Sequence, residues 1–343
     1  MSKKPITIHD IAEIAKVSSA TVSRVLSNSN YPVSKELQIR IRKIAEESNY
    51  IPNMLGKQLK NNTSTTIAVI IPSISNPFYS SVVQGIEETA RENNYTVITC
   101  NSQQDPALEE EYIRTIMQKQ IKGLIISSIS DDKTLLRSCM QMGLNVVAID
   151  QVIEEDQVSQ IKFNYEKGGY MGTKHLIELG HRQITYLTSK LDRPSRRSIY
   201  KGYKIAMEEA GLAPVSIESG AEELYNAIHD FDLGKKLADK VLALSDKPSA
   251  LFVCNDMMAF GVINRLADKN MQVPEHISVI GFDGIDFGMM IHPALTSVKQ
   301  PDYEMGKMSC KLLFDKINNE AVAAYDIVLQ PQLVIRKSVK PLQ

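Results

Sequence analysis

The stretch Thr7–Leu26, TIHDIAEIAKVSSATVSRVL, decides how the amino end folds. Thr7 precedes Ile8, Ile11, Ala12, Ile14 and Ala15, apolar residues at helical spacing. Its hydroxyl can cap the first turn, and Asp10, three residues on, suits the positive end of the helix dipole. The pattern breaks after Lys16. Ser18 offers a second cap, and Val22, Val25 and Leu26 fall at i, i+3 and i+4 of a second helix. So few residues separate the two helices that they must cross steeply. Ser34 caps a third, with Leu37, Ile41, Ile44 and Ala45 inward and Arg40, Arg42 and Lys43 outward. Three short helices, the second with a free outer face, describe a helix-turn-helix head. That face carries Ser19, Ala20, Thr21, Ser23 and Arg24. Small and hydroxyl side chains let a helix lie deep in a major groove, and an arginine there reaches a guanine edge or a phosphate.

Charge separates this head from the rest. Residues 1–63 hold ten Lys or Arg against five Asp or Glu, leaving 29 basic and 35 acidic residues to the remainder. A basic head on an acidic body suits a polyanion at one end only. At 343 residues the chain has room for two or three domains, and 43% apolar with 23% charged residues is a globular balance. The four cysteines lie far apart, which points to buried thiols in a reducing cytoplasm and not to a disulfide framework or zinc cluster. Lys3 and Lys4 are followed by no apolar run, so neither a signal peptide nor a membrane span is expected, and the protein is expected in the cytoplasm.

Residues 50–59, Tyr50 to Leu59, are too short to hold a helix alone, and Gly56 weakens its propensity. Two copies side by side on DNA would stabilise it, with Leu59 as an apolar wedge in the minor groove. Asn61 to Thr66 then reads as a polar linker.

Ile8-His9-Asp10-Ile11-Ala12, Val17 to Leu26, and Asn49-Tyr50-Ile51-Pro52-Asn53, taken in order, strongly resemble the head of the LacI/GalR family of bacterial repressors, and the similarity runs over essentially the whole chain. The resemblance implies base and phosphate contacts at Ser19, Ala20, Thr21, Ser23 and Arg24, and an intercalating role for Leu59. Gly56-Lys57 stands where many members have Ala-Arg, which makes Lys57 a plainer phosphate contact. The full candidate DNA set is Thr7, Ser18, Ser19, Ala20, Thr21, Ser23, Arg24, Asn28, Ser34, Tyr50, Asn53, Lys57 and Leu59. The partners implied are double-stranded DNA with a palindromic site, a second copy of the chain pairing through the first body lobe around the helix after Tyr79, and a small effector.

From Thr65 the period changes to short buried strands alternating with amphipathic helices, a βαβ rhythm that restarts after Ile161–Phe163. The fold class expected is α/β: a small all-α helix-turn-helix head (1–49), a hinge helix and linker (50–64), and a two-lobed, doubly wound parallel-sheet body like that of periplasmic binding proteins. The first lobe is expected over 65–163 with 292–324, the second over 164–291 with 325–343. Ligands bind such sheets at the carboxyl ends of strands. Asn76 and Phe78, Asp150 with Gln151, Asn255 with Asp256, Asp283 and Gln300 each follow an apolar strand. Taken singly they read as loop or cap residues, Asp256 above all as a helix N-cap. Together they suit a polyhydroxylated ring: acids and amides meet hydroxyls while Phe78 covers an apolar face. The resemblance implies effector contacts at Asn76, Phe78, Asp150, Asn255 and Asp283, and an arginine three residues before Gly202, where this chain has Ile199. Arg196 and Arg197 lie just upstream, and Arg197 completes the candidate set.

Rival classes fit less well. The chain has no Gly-rich phosphate loop, HExxH or nucleophile elbow, so it is not expected to be an enzyme or to need a cofactor. His175 and His181 are read as satisfied or exposed histidines, not metal ligands, and acidic runs such as Glu109-Glu110-Glu111 as solvated faces. A solute-binding protein would lack the basic head. Within the resemblance, catabolite control proteins respond mainly to a phosphorylated carrier protein, and Tyr303-Glu304 with Lys307 and Lys311 resemble its docking region. Asp150 favours a small ligand, a sugar or sugar derivative, regulating a carbohydrate-utilisation operon.

Overall fold

The computed structural model describes residues 6–27, 31–50, 64–151, 153, 158–191, 193–220, 229–318 and 323–342. Two units separate, Met1–Ser64 and Thr65–Gln343. The first contains α1 (Ile8–Ala15), α2 (Ser19–Leu26) and α3 (Lys35–Glu47). Each begins at a hydroxyl: the Thr7, Ser18 and Ser34 side chains accept from the amides of Asp10, Thr21 and Leu37, and Asp10 returns a bond to the Thr7 amide, closing a capping box. Lys16, in the left-handed region at φ 54°, makes the tight turn after α1. Ile11, Ala12, Ala15, Val22, Val25, Ile41 and Ala45 form the core. Ile14, expected inward, is exposed. The helix is only eight residues long, and Ile11 and Ala15 already fill its buried stripe.

The second unit holds two six-stranded sheets. The first contains β1 (Thr66–Ile71), β2 (Thr96–Asn101), β3 (Gly123–Ile126), β4 (Asn145–Ile149), β5 (Ser159–Phe163) and β11 (Asp326–Leu329), in the order β11-β5-β4-β3-β1-β2, all parallel. The second contains β6 (Ile184–Thr188), β7 (Val215–Glu218), β8 (Ala250–Val253), β9 (Ser278–Asp283), β10 (Thr296–Lys299) and β12 (Gln332–Val334), in the order β12-β10-β9-β8-β6-β7, with only β12 antiparallel. Continuous apolar runs such as Ile67–Ile71 and Leu251–Val253 are buried throughout, as strands covered on both faces must be.

The helices are α4 (Pro77–Glu92), α5 (Pro106–Gln118), α6 (Thr134–Gln141), α7 (Tyr165–Glu178), α8 (Pro194–Glu209), α9 (His229–Leu242), α10 (Asp256–Asp268) and α11 (Asp302–Asn318). Glycine brings helix backbones together: a Cβ on Gly169 would stand 2.1 Å from the Ile199 carbonyl oxygen, and one on Gly202 would stand 1.9 Å from that of Glu166. This locks α7 against α8 and so fixes the amino end of α8 over the cleft.

The lobe boundary expected at 292 is corrected. β10 pairs in register with β9, Thr296 opposite Ile280, so the chain crosses between lobes at Gln300-Pro301; β11 then pairs with β5 in the first sheet, not the second. Short strands carry no mark of their partner, and the chain crosses three times. β7 and α9 were also unread in the sequence.

Candidate functional site

Each strand of the switch region delivers a polar residue at its carboxyl end. Asn76 caps α4 through its side-chain oxygen, which accepts from the Phe78 amide at 3.0 Å. This seats Phe78 and Tyr79, both buried and 5.0 Å apart edge to face, in the cleft. Asp150 follows β4 with φ 63°, and Asp283 ends β9 with φ 110°. A non-glycine residue held there is strained, and such strain persists where surrounding contacts over-determine the conformation.

Asp150 is the hub. Its Oδ2 accepts from Tyr79 Oη at 2.7 Å, Ser127 Oγ at 3.0 Å and Gln151 Nε2 at 2.7 Å, while Tyr165 Oη donates to Oδ1. Tyr165 Oη also lies 3.2 Å from Gln300 Oε1, and Gln300 Nε2 donates to Asp283 Oδ1 at 2.8 Å. One chain of polar contacts, Asp150–Tyr165–Gln300–Asp283, thus joins strand ends of both sheets. Burial, then the Asp150 charge, pushes both tyrosine hydroxyls well above their ordinary pKa, so they remain protonated donors. Burial, then the Asp256 charge, raises the Asp283 carboxyl. Gln151 Nε2 further donates to Ser195 Oγ at 3.0 Å, and Arg193 donates to Gln104 Oε1, two more ties across the cleft.

Asn76, Phe78, Asp150, Asn255, Asp283 and Gln300 share the wall of one inner cavity of about 60 Å³. Arg197 does not join them: it is exposed, donates to the Leu191 carbonyl at 3.2 Å, and faces an outer cavity of about 780 Å³. Arg193 and Arg196 stand in the inner wall instead, with Ile199. Residues 196 and 199 are three apart on α8 and share a face, whereas 197 is turned about 100° from 196. The buried stripe Ile199, Gly202, Tyr203, Ala206 and Met207 carried that phase in the sequence.

Asp256 is also corrected: Asn255 is the N-cap of α10, its Oδ1 accepting from the Met258 amide at 2.7 Å and its Nδ2 donating to Asp230 Oδ2 at 3.1 Å. Asp256 points the other way. It accepts from Ser297 Oγ at 2.5 Å and the Ile285 amide at 2.8 Å, and burial pushes its carboxyl up to about 7. Tyr79, Ser127, Tyr165, Arg193 and Asp230 had not been singled out as site residues in the sequence, since each acts on partners distant along the chain.

Elsewhere, His181 lies within bonding distance of Ser249 Oγ (2.9 Å) and the Lys340 carbonyl (3.0 Å), a structural role. Among the described residues no group of His, Cys, Asp or Glu could hold a metal, and no helix is long and apolar enough to cross a membrane. Glu109 is buried, not solvated, and accepts from Ser128 Oγ and the Ile129 amide. Tyr303 donates to Glu88, and Lys307 sits 5.4 Å from its ring centroid.

In the head, Ala20, Ser23 and Arg24 are exposed on α2, and Ser19 and Thr21 half-exposed. Ser19 Oγ lies 3.0 Å from His9 Nδ1, and Ser18 and Thr21 hydroxyls share a 2.9 Å bond. The Arg24 guanidinium rests 3.9 Å from the Tyr31 ring centroid. Thr7 and Ser34 are exposed caps, and Tyr50 packs half-buried on the head core. Asn28, Asn53, Lys57 and Leu59 lie outside the described residues.

Residues 7–53 match the family described as bacterial regulatory proteins, lacI family, and residues 173–339 match a periplasmic binding protein-like domain. A transcriptional repressor named PurR from Aliivibrio salmonicida is 32% identical over 98% of this chain and 99% of its own. The Lac repressor dimer bound to operator and the anti-inducer ONPF superposes with a TM-score of 0.83 at 27% identity, over 98% of this chain and all of that one. A LacI family regulator from Enterococcus faecium with bound ribose has a TM-score of 0.74 at 26% identity, over 81% of this chain and 100% of that one. With a helix-turn-helix head and a two-lobed binding body matched end to end, the chain belongs to the lacI family and is a ligand-responsive, DNA-binding transcriptional regulator.

Proposed function

We propose that the chain represses a carbohydrate-utilisation operon and that its cleft binds a sugar or sugar derivative which alters operator affinity. The observation that carries this reading is the Asp150–Tyr165–Gln300–Asp283 chain, where both sheets converge beside the buried ring of Phe78. Carboxylates take hydroxyl protons, amides give and take, and an aromatic face covers C–H surface. The ribose held by the Enterococcus faecium regulator supports a ligand of that kind.

Asn76, Phe78, Asp150, Asn255, Asp283 and Gln300 are the proposed contacts, with Arg196 in the role first given to Arg197. Two copies pair, mainly through the first lobe around α4, and set two α2 helices against a palindromic site; the Lac repressor dimer on its operator supports this arrangement. Ser18 to Arg24 read the major groove, with Leu59 wedged into the minor groove. A ligand bridging the lobes changes the spacing of the two heads, a coupling of about 1–3 kcal/mol. The site of action is the cytoplasm, where the operator lies. A thermal-shift screen of the full chain against monosaccharides, disaccharides and nucleosides tests the ligand class. A sugar is expected to raise the melting temperature and to change affinity for a selected operator fragment. A response to nucleosides alone overturns the carbohydrate reading.

A further inference from the structure

Three of the proposed ligand contacts stand next to one buried group that does not itself line the cavity. Asn255, Asp283 and Gln300 come from three segments: the start of α10, the end of β9 and the stretch after β10. Asp256 follows Asn255 directly and is fully buried outside the cavity wall. Its Oδ2 accepts from the Ile285 amide at 2.8 Å, two residues past Asp283. Its Oδ1 accepts from Ser297 Oγ at 2.5 Å, three residues before Gln300. Ser297 Oγ, also fully buried, accepts in turn from the Gly284 amide at 3.1 Å. One carboxyl and one hydroxyl thus hold both amides that follow Asp283, and tie them to the start of α10 and to β10.

The backbone here needs such a hold. Asp283 sits at φ 110° and Gly284 at φ 71°. A non-glycine residue in that region persists only where its surroundings over-determine it. A Cβ on Gly284 would lie 2.5 Å from Lys299 Cα, so the turn is pressed against β10. β9 leaves room for the carboxyl, since a Cβ on Gly281 would stand 2.2 Å from Asp256 Oδ1. Asp283 meets the cleft in this conformation: Gln300 Nε2 donates to its Oδ1 at 2.8 Å, and the Gln300 backbone amide to its carbonyl at 3.0 Å. Helix capping accounts for none of this, because Asn255 already caps α10 through the Met258 amide. A ligand contact must be held within about 0.5 Å of its productive place by groups whose own geometry is locked. We infer that Asp256, with Ser297, is a positioning residue for the ligand site: it fixes the turn 283–285 and so sets the direction of the Asp283 carboxyl, the placement of Gln300 against it and the seat of Asn255.

The role assigned to Asp256 rests on the carbohydrate reading of the cleft through the ligands that probe it, and two readouts on the full chain keep the two apart. Hydrogen exchange followed by mass spectrometry compares a peptide over residues 282–290 with one over β8. In Asp256→Ala the first is expected to exchange at least about tenfold faster relative to β8, and in Asp256→Asn, which keeps an acceptor for Ile285, to stay near the native rate. Calorimetric titration with ribose and with glucose then reads affinity. Asp256→Ala is expected to bind at least about tenfold more weakly than the native chain, and Asp256→Asn to restore binding to within about threefold. Should Asp256→Ala fail to fold, Ser297→Ala, which removes the Gly284 acceptor and one donor to Asp256, carries both readouts with a smaller effect in the same direction. Equal acceleration of both peptides marks a merely structural carboxyl and overturns the positioning role, as does native affinity in Asp256→Ala or weak binding in Asp256→Asn. Failure of the native chain to bind either sugar counts against the carbohydrate reading, and the exchange data alone then decide the positioning role.

Discussion

Asp256→Asn tests how burial sets the energetics beside the cleft. Asp256 is fully buried, accepts from Ser297 Oγ and the Ile285 amide, and has its carboxyl pushed from 3.8 up to about 7. The folded state keeps a proton that the unfolded chain has already lost over this range. Stability from the group is therefore full below about pH 4, falls as pH rises towards 7, and is level above that. Each tenfold change in proton affinity is about 1.4 kcal/mol, so the upper bound on the loss is roughly 4 kcal/mol. Asparagine keeps the shape, accepts from the same amide and never ionises. The variant is expected to match the native chain near pH 4 and to exceed it by about 2–4 kcal/mol at pH 8. The chain lacks tryptophan, so urea unfolding is best followed by far-UV circular dichroism at several pH values. Parallel profiles for the two proteins, offset by a constant, refute the reasoning.

Gly281→Ala places a Cβ 2.2 Å from Asp256 Oδ1 and 2.8 Å from Leu295 Cδ2, and is expected to cost about 1–3 kcal/mol in urea unfolding. Tyr165→Phe strips the hydroxyl that donates to Asp150 and lies beside Gln300; a loss of about 1–3 kcal/mol in body stability and a weakened ligand response should appear together. Arg24→Ala should weaken operator binding and, where the residue meets a phosphate, lower the slope of log affinity against log salt by about one, read by fluorescence anisotropy. Ser18→Ala removes the α2 cap and should cost the head about 1 kcal/mol in a thermal melt.

The local features were legible because their causes are local. Thr7, Ser18 and Ser34 cap the helices that follow them, and the apolar runs at Ile67–Ile71 and Leu251–Val253 are strands, since capping and periodicity act within a few residues. The polar residues after those strands share one cavity because a doubly wound sheet gathers its carboxyl ends along one edge.

Other features depended on partners far away in the chain. The pairing of β10 with β9 and of β11 with β5 is decided by which sheet edge lies open when the chain crosses, which Thr296–Lys299 and Asp326–Leu329 do not encode alone. Tyr165 and Tyr79 became site residues only when folding brought Asp150, 15 and 71 positions away, to their hydroxyls. Arg196 displaced Arg197 through the rotation of α8, which its glycine-mediated packing on α7 sets. Sequence alone therefore determined the head helices with their Thr7, Ser18 and Ser34 caps, the apolar strands and most of the polar groups at their ends, which follow from short-range sterics and periodicity. Tertiary structure decided pairing, helix rotation and buried charge, because these depend on contacts between segments that only the completed fold brings together.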